Sequence, residues 1–152
     1  MINESEFSRA APGRRIQFAA LPIRMAEAAG PEILLITSRD TGRWVIPKGW
    51  PIPGLSGAAT AAVEAYEEAG IEGHVHDTPL GTYRYDKRTR RRLIPCEVTV
   101  FPMRVDVERD DWPERAERRT LWVEGDEAAD LVDEPGLAAL MRMAPRGFED
   151  AM

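Results

Sequence analysis

Between Pro47 and Gly57 the chain carries three prolines and three glycines, a density of fixed and permissive backbone torsions that the interior of a helix or strand does not tolerate. The segment is expected as an irregular loop, and it fixes where the next element begins. Ser56 offers a side-chain oxygen for a helix N-cap, the alanine-rich stretch Ala58 to Ala69 has high helix propensity, and Gly70 stands where a left-handed C-terminal residue is wanted. Loop, capped helix and glycine stop together form the most sharply bounded part of the sequence.

Around this unit the pattern is mostly strand. Ile16 to Met25 and Glu32 to Ser38 are apolar runs separated by a turn, and Arg43 to Ile46 is a short strand stopped by Pro47. Downstream, His74 to His76, Pro79 to Tyr85, Leu93 to Val107 and Thr120 to Val123 read as strands, the third alternating through Val98, Val100, Met103 and Val105. Asp126 to Val132 and Pro135 to Met143 read as helix, with Pro135 at a first helical position. This is not a regular strand-helix alternation, so a mixed sheet with helices is expected: an α/β chain of the α+β type. Its 152 residues suit one domain, expected over 15–145 between tails at 1–14 and 146–152.

No run approaches the ~20 apolar residues of a membrane helix. Lys plus Arg number 20 against 26 Asp plus Glu, a net charge of −6, which opposes a surface that coats a membrane or a nucleic-acid polymer. The acidic N-terminal residues lack the apolar centre of a signal peptide, and residence in the cytoplasm is the expectation. Cys96, the single cysteine, is expected as a buried strand residue. His74 and His76 share a strand side, and two such ligands define no metal site. Trp44 is expected in the core and Trp50 packed in the loop or stacked on a base.

Glu64, Glu67 and Glu68 stand at i, i+3 and i+4 and so project from one face of the predicted helix. No Lys or Arg occurs between Lys48 and Arg84, so none of the three carboxylates has a basic partner on its own helix. Glu67 and Glu68 also lie at the negative end of the helix dipole, where acids are disfavoured by about 0.3–1 kcal/mol each. A hard divalent cation resolves both conflicts, since Mg²⁺ takes carboxylate oxygens, keeps several waters and bridges to phosphates.

The run from Gly49 through Leu55 and Val63 to Glu64-Ala65-Tyr66-Glu67-Glu68-Ala69-Gly70-Ile71 resembles the Nudix box, G-x5-E-x7-R-E-U-x-E-E-x-G-U with U aliphatic. Leu34 to Gly49 and Asp111-Trp112-Pro113 look like the diphosphoinositol polyphosphate phosphohydrolase branch of that superfamily, and the likeness covers about Gln17 to Leu140. The resemblance implies an α-β-α sandwich around a mixed sheet and a hydrolase that cleaves a diphosphate linkage with water, using Mg²⁺ or Mn²⁺ held by Glu64, Glu67 and Glu68, the implied catalytic residues. It also implies that an extra acid can come from a distant loop, for which Glu97, Glu114 and Glu117 are candidates. The box Glu and Arg are replaced here by Leu55 and Val63. An opposite-charge pair exchanged for an apolar contact need not destabilise the fold, and both side chains are expected to be substantially buried near one another.

Lys87, Arg88, Arg90, Arg91 and Arg92 place five positive charges in six residues on an expected hairpin turn. The run reads either as a solvated turn or as a phosphate clamp, to which Arg39, Arg43 and Lys48 could add. The expected ligand is thus a small phosphorylated molecule: a nucleoside diphosphate derivative, a dinucleoside polyphosphate or a diphosphoinositol polyphosphate. The alternatives are a small nucleoside triphosphate as substrate, and a catalytically weakened ligand-binding module, which Leu55 and Val63 favour.

Overall fold

The structure, a computed structural model, describes residues 13–26 and 30–151, with side chains described as far as Ala144. Residues 1–12 of the expected N-terminal tail lie outside the described residues. Strands β1 (Arg15–Ala26), β2 (Gly30–Thr37), β3 (Trp44–Val45) and β4 (Lys48–Gly49) precede helix α1 (Gly57–Ala69). Strands β5 (Ile71–Val75), β6 (Gly81–Arg88), β7 (Leu93–Glu108) and β8 (Thr120–Glu124) follow, then helices α2 (Gly125–Leu131) and α3 (Pro135–Ala151).

The strands form one mixed sheet with β1 at its centre. β1 runs parallel to β7, from Arg15 opposite Cys96 to Ile23 opposite Arg104. It runs antiparallel to β2 and to the two-residue β4, where Phe18 faces Gly49 and Ala19 faces Lys48. Both faces of β1 are covered, so its side chains divide by parity. Ile16, Phe18 and Ala20 join Ala58, Ala61, Ala65 and Ala69 of α1 on one side, while Ala19, Leu21 and Ile23 meet Ala128 and Ala129 of α2 and Leu137 and Met141 of α3 on the other. The expected α-β-α sandwich is the observed architecture.

Several element bounds differ from those read in the sequence. The loop 47–57 is not wholly irregular, because Lys48 and Gly49 hydrogen-bond to β1 as β4. The strand expected at His74 to His76 begins at Ile71, directly after the helix stop, since Ile71 is buried and pairs with Glu108. β7 is buried on both faces: even-numbered Val98 and Val100 belong to one core, odd-numbered Phe101 and Met103 to the other. α3 continues past Met143 to Ala151, so the segment expected as a C-terminal tail is helical up to that residue. The hairpin turn does fall within the basic run, between Arg88 and Leu93, and Cys96 is buried. Trp44 is half-buried and packs against the core. Among the described residues no helix is long and apolar enough to cross a membrane.

The expected caps of α1 are present. Ser56 Oγ accepts a hydrogen bond from the Ala59 N–H at 3.1 Å, and Gly70 adopts φ 69°. A β-carbon on Gly70 would stand 2.9 Å from Cγ of Trp112. Gly70→Ala is therefore expected to lower the unfolding free energy by more than the about 1–2 kcal/mol of left-handed backbone strain. Gly42→Ala, at φ 71° with nothing within 4 Å of the added carbon, reports that strain alone. Urea denaturation of both variants checks the difference.

Candidate active site

Alanines on the inner face of α1 seat the helix against the sheet, and Glu64 and Glu68 on an adjoining face reach over β4. The Lys48 backbone N–H donates to Glu68 Oε1 at 3.3 Å. The Glu64 carboxyl lies over Gly49, where a β-carbon would stand 2.6 and 2.7 Å from its two oxygens. Glycine is needed at 49 for that close approach, which sets the Glu64 carboxyl beside Glu68. Burial, and then repulsion from Glu68, push the Glu64 carboxyl up to about 8. Burial also raises Glu68, against the pull of Arg118 and Lys48.

Glu67 departs from the expected convergence. It is about 100° around the helix from Glu68, and the cavity that Glu64 and Glu68 line does not include it. Its charge acts on Glu64, and its backbone carbonyl accepts from the Glu114 N–H at 3.0 Å. That bond belongs to a set that closes the end of the helix. Trp112 Nε1 donates to the Glu68 carbonyl at 3.2 Å, and the Arg109 N–H donates to the Gly70 carbonyl at 2.8 Å. The same segment delivers Glu114 and Arg118 to the acid pair. Arg118 stands 2.8 Å from Glu114 Oε1 and 3.6 Å from Glu68 Oε2. Glu114 was among the candidate extra acids, whereas nothing local in the sequence marked Arg118.

The acid pair lines a cavity of about 400 Å³ whose wall includes Arg39, Lys48, Trp50, Lys87, Glu114 and Arg118. A second cavity of about 330 Å³ shares Ser38, Asp40, Val45, Lys48 and Lys87 with it and adds Arg43, Tyr85 and Arg88. The structure thus brings Lys48, Lys87 and Arg88 to the site region, while Arg90, Arg91 and Arg92 line neither cavity and are exposed in the turn. Arg39 is shared with Glu114 and Glu117 at 3.7 and 3.5 Å. Arg43 is ion-paired with Glu134, which is 8% exposed and has Oε1 without a hydrogen-bond partner among the described residues. Releasing Arg43 to a ligand would strand that carboxylate, so its first task is structural. Burial lowers Lys48 to about 8, and its Nζ lies 5.1 Å from the Tyr85 ring centre. Trp50 packs in the loop with Arg15 over its ring at 4.5 Å.

Leu55 and Val63 are half-buried rather than substantially buried, and neither belongs to a core cluster. His74 and His76 meet edge to face at 5.0 Å. Among the described residues no group of three or more His, Cys, Asp or Glu side chains is assembled to hold a metal ion. The donor chemistry of the pair nevertheless fits a hard cation. Two carboxyls are pressed together beside an open cavity, one retaining its proton far above the usual range, and a divalent cation completed by water and phosphate oxygens can take that proton's place.

Comparison with known proteins matches the NUDIX domain model to residues 13–143. The chain is 32% identical over 104 residues to Nudix hydrolase 12, mitochondrial, of Arabidopsis thaliana, an alignment covering 66% of this chain and 51% of that protein. It thus spans about half the length of that relative. The fold is similar to an Ap4A hydrolase of C. elegans, with TM-score 0.58 and 20% identity over 85% of this chain and 94% of the other. It is also similar to the NUDIX domain of Shewanella oneidensis NrtR complexed with ADP ribose, with TM-score 0.63 and 14% identity over 93% and 97%.

The raised Glu64 gives the metal-free protein a pH dependence of definite sign. Between the unfolded value of about 4.3 and the folded value of about 8, the folded state binds more protons than the unfolded one. Stability contributed by this group is therefore lost as pH rises through that window. The melting temperature without metal is expected to fall from pH 5 to pH 8, and Glu64→Gln to flatten the fall. Added Mg²⁺ or Mn²⁺ should recover most of it at pH 8. Thermal melts at each pH with and without cation check this.

Proposed function

The chain belongs to the NUDIX domain family, and from that premise we propose that it is a metal-dependent hydrolase of a diphosphate linkage in a small phosphorylated molecule. The observation that carries the reading is the pair Glu64–Glu68 on one helix face, held over Gly49 on the wall of a cavity that also presents Lys48 and Lys87. The pair would hold Mg²⁺ or Mn²⁺, with Glu67 on the same helix adding its charge from outside the cavity wall. A cation bound there supplies charge neutralisation at the diphosphate oxygens and acidifies a water. Water attacks one phosphorus, the bond from that phosphorus to the bridging oxygen breaks, and a carboxylate of the cluster takes the released proton. Lys48 and Lys87 meet the negative charge of the bound phosphates.

Two cavities that share a wall suit a molecule with a group on each side of the diphosphate. A nucleoside diphosphate derivative, a dinucleoside polyphosphate or a diphosphoinositol polyphosphate has that form. The named ligands of the two structural neighbours, Ap4A and ADP ribose, are of this kind, which supports the class without choosing within it. Lys87 and Arg88 favour the more heavily phosphorylated members. The half-buried Leu55 and Val63 favour a second reading, a ligand-binding module with weakened turnover.

Phosphate release from these substrate classes and from nucleoside triphosphates, each with and without Mg²⁺ or Mn²⁺, separates the readings. Cation-dependent release is expected, with Glu68→Gln lowering kcat by about 10²-fold or more. Binding without turnover on every substrate would sustain the second reading instead. Lys87→Ala should raise KM several-fold, more at low ionic strength, and leave kcat within about twofold.

A further inference from the structure

The acid pair has a buried cation beside it that no motif marks. Arg118 follows the short 3-10 turn Arg115–Glu117 and turns back into the cavity wall with its side chain 7% exposed. Its Nε donates to Glu114 Oε1 at 2.9 Å, with Nη2 at 2.8 Å from the same oxygen. Its Nη1 donates to the Thr37 carbonyl at 2.9 Å. The next backbone N–H, that of Arg119, is held by Thr37 Oγ1 at 2.9 Å. The guanidinium is therefore fixed by β2 on one side and by its own segment on the other. From there Nη2 faces Glu68 Oε2 at 3.6 Å, while Lys48 N–H occupies Oε1. Glu68 is thus addressed on both oxygens, and Glu64 is placed by Glu68 and by the bare face of Gly49.

We propose that Arg118 is the positioning residue of the Glu64–Glu68 pair, fixing Glu68, and through it Glu64, in the orientation that holds the divalent cation, and tying Glu114 to the same wall. The inference rests on the metal-dependent reading above. Neither Leu55 nor Val63 can donate to a carboxylate, so beyond the Lys48 N–H the orienting side-chain donor comes from outside the helix and its preceding loop. The side chain turns its donors to protein acceptors and exposes little surface, so it acts through Glu68 and Glu114 rather than on a substrate. A planar fork fixes angles that a point charge does not, which separates positioning from simple charge balance.

Arg118→Lys keeps the charge and removes the fork, so the repulsion between this residue and a bound metal is unchanged. Partners that orient metal ligands typically contribute 10–100-fold to affinity or activity. Mn²⁺ binding to the substrate-free protein, followed by electron paramagnetic resonance, is expected to weaken about tenfold or more in Arg118→Lys. kcat should fall at least as far and KM stay within about twofold, with the melting temperature within a few degrees of native. A folded Arg118→Lys that binds Mn²⁺ and turns over as the native protein does overturns the proposal. Should that variant fail to fold, Arg118→Gln, which retains a planar donor, is read by kcat against KM, and an unchanged kcat has the same consequence. Native protein that neither binds Mn²⁺ nor cleaves any diphosphate defeats the hydrolase reading and this inference together. Native activity with an indifferent Arg118 defeats the inference alone.

Discussion

The last turn of α1 presents carbonyl oxygens that its own helix cannot satisfy, and the way they are met sets the layout of the site. Donors from 109–114 take the carbonyls of Glu67, Glu68 and Gly70, and the Trp112 ring lies against the residue with no β-carbon. Once that segment is fastened to the helix end, Glu114 and Arg118 fall beside the acid pair. Helix closure and site assembly are in this sense one event. The left-handed glycine that ends the helix also clears the space for the ring.

Acid is gathered where the protein gains least from it. Glu64 and Glu68 are partly withdrawn from water, which raises both carboxyls, and repulsion from Glu68 raises Glu64 further; Glu68 also lies near the negative end of the helix dipole. The compensation is incomplete and comes from several directions: a backbone N–H, a buried guanidinium and the half-buried Lys48. Arg39 and Arg43 are drawn off into ion pairs of their own. The residual repulsion is what a cation bound as proposed would relieve.

Sequence reached the local parts of this structure and stopped at the long-range ones. The α1 caps and the apolar runs of β1 and β2 follow from torsional and burial preferences within a few residues, and they were legible. β4 was not, because Lys48 and Gly49 carry no strand signature and pair only because β1 offers an open edge at Phe18 and Ala19. The two-sided burial of β7 escaped for a related reason: it hides the parity that a half-exposed strand displays. Glu64 and Glu68 could be paired from helical spacing, but which of the three glutamates the cavity includes depends on the segments packed around the helix. Arg118, fifty residues beyond Glu68, could be placed only by the stitching at the helix end. The basic run was legible as a turn, whereas its division into Lys87 and Arg88 at the cavities and Arg90 to Arg92 exposed in the turn follows from where the β6–β7 pairing ends.

The parallel pairing of β1 with β7 bears on the order in which the molecule can be built. Residues 15–23 must wait for 96–104, and the contacts that orient the acids must wait for Glu114 and Arg118. A chain emerging from the ribosome can form α1 and the β1–β2 hairpin early, yet it carries Glu64 and Glu68 without their partners until most of its length has been made. Loops that long are closed late and slowly. The buried guanidinium that faces Glu68 is therefore among the last groups the chain can supply to the pair.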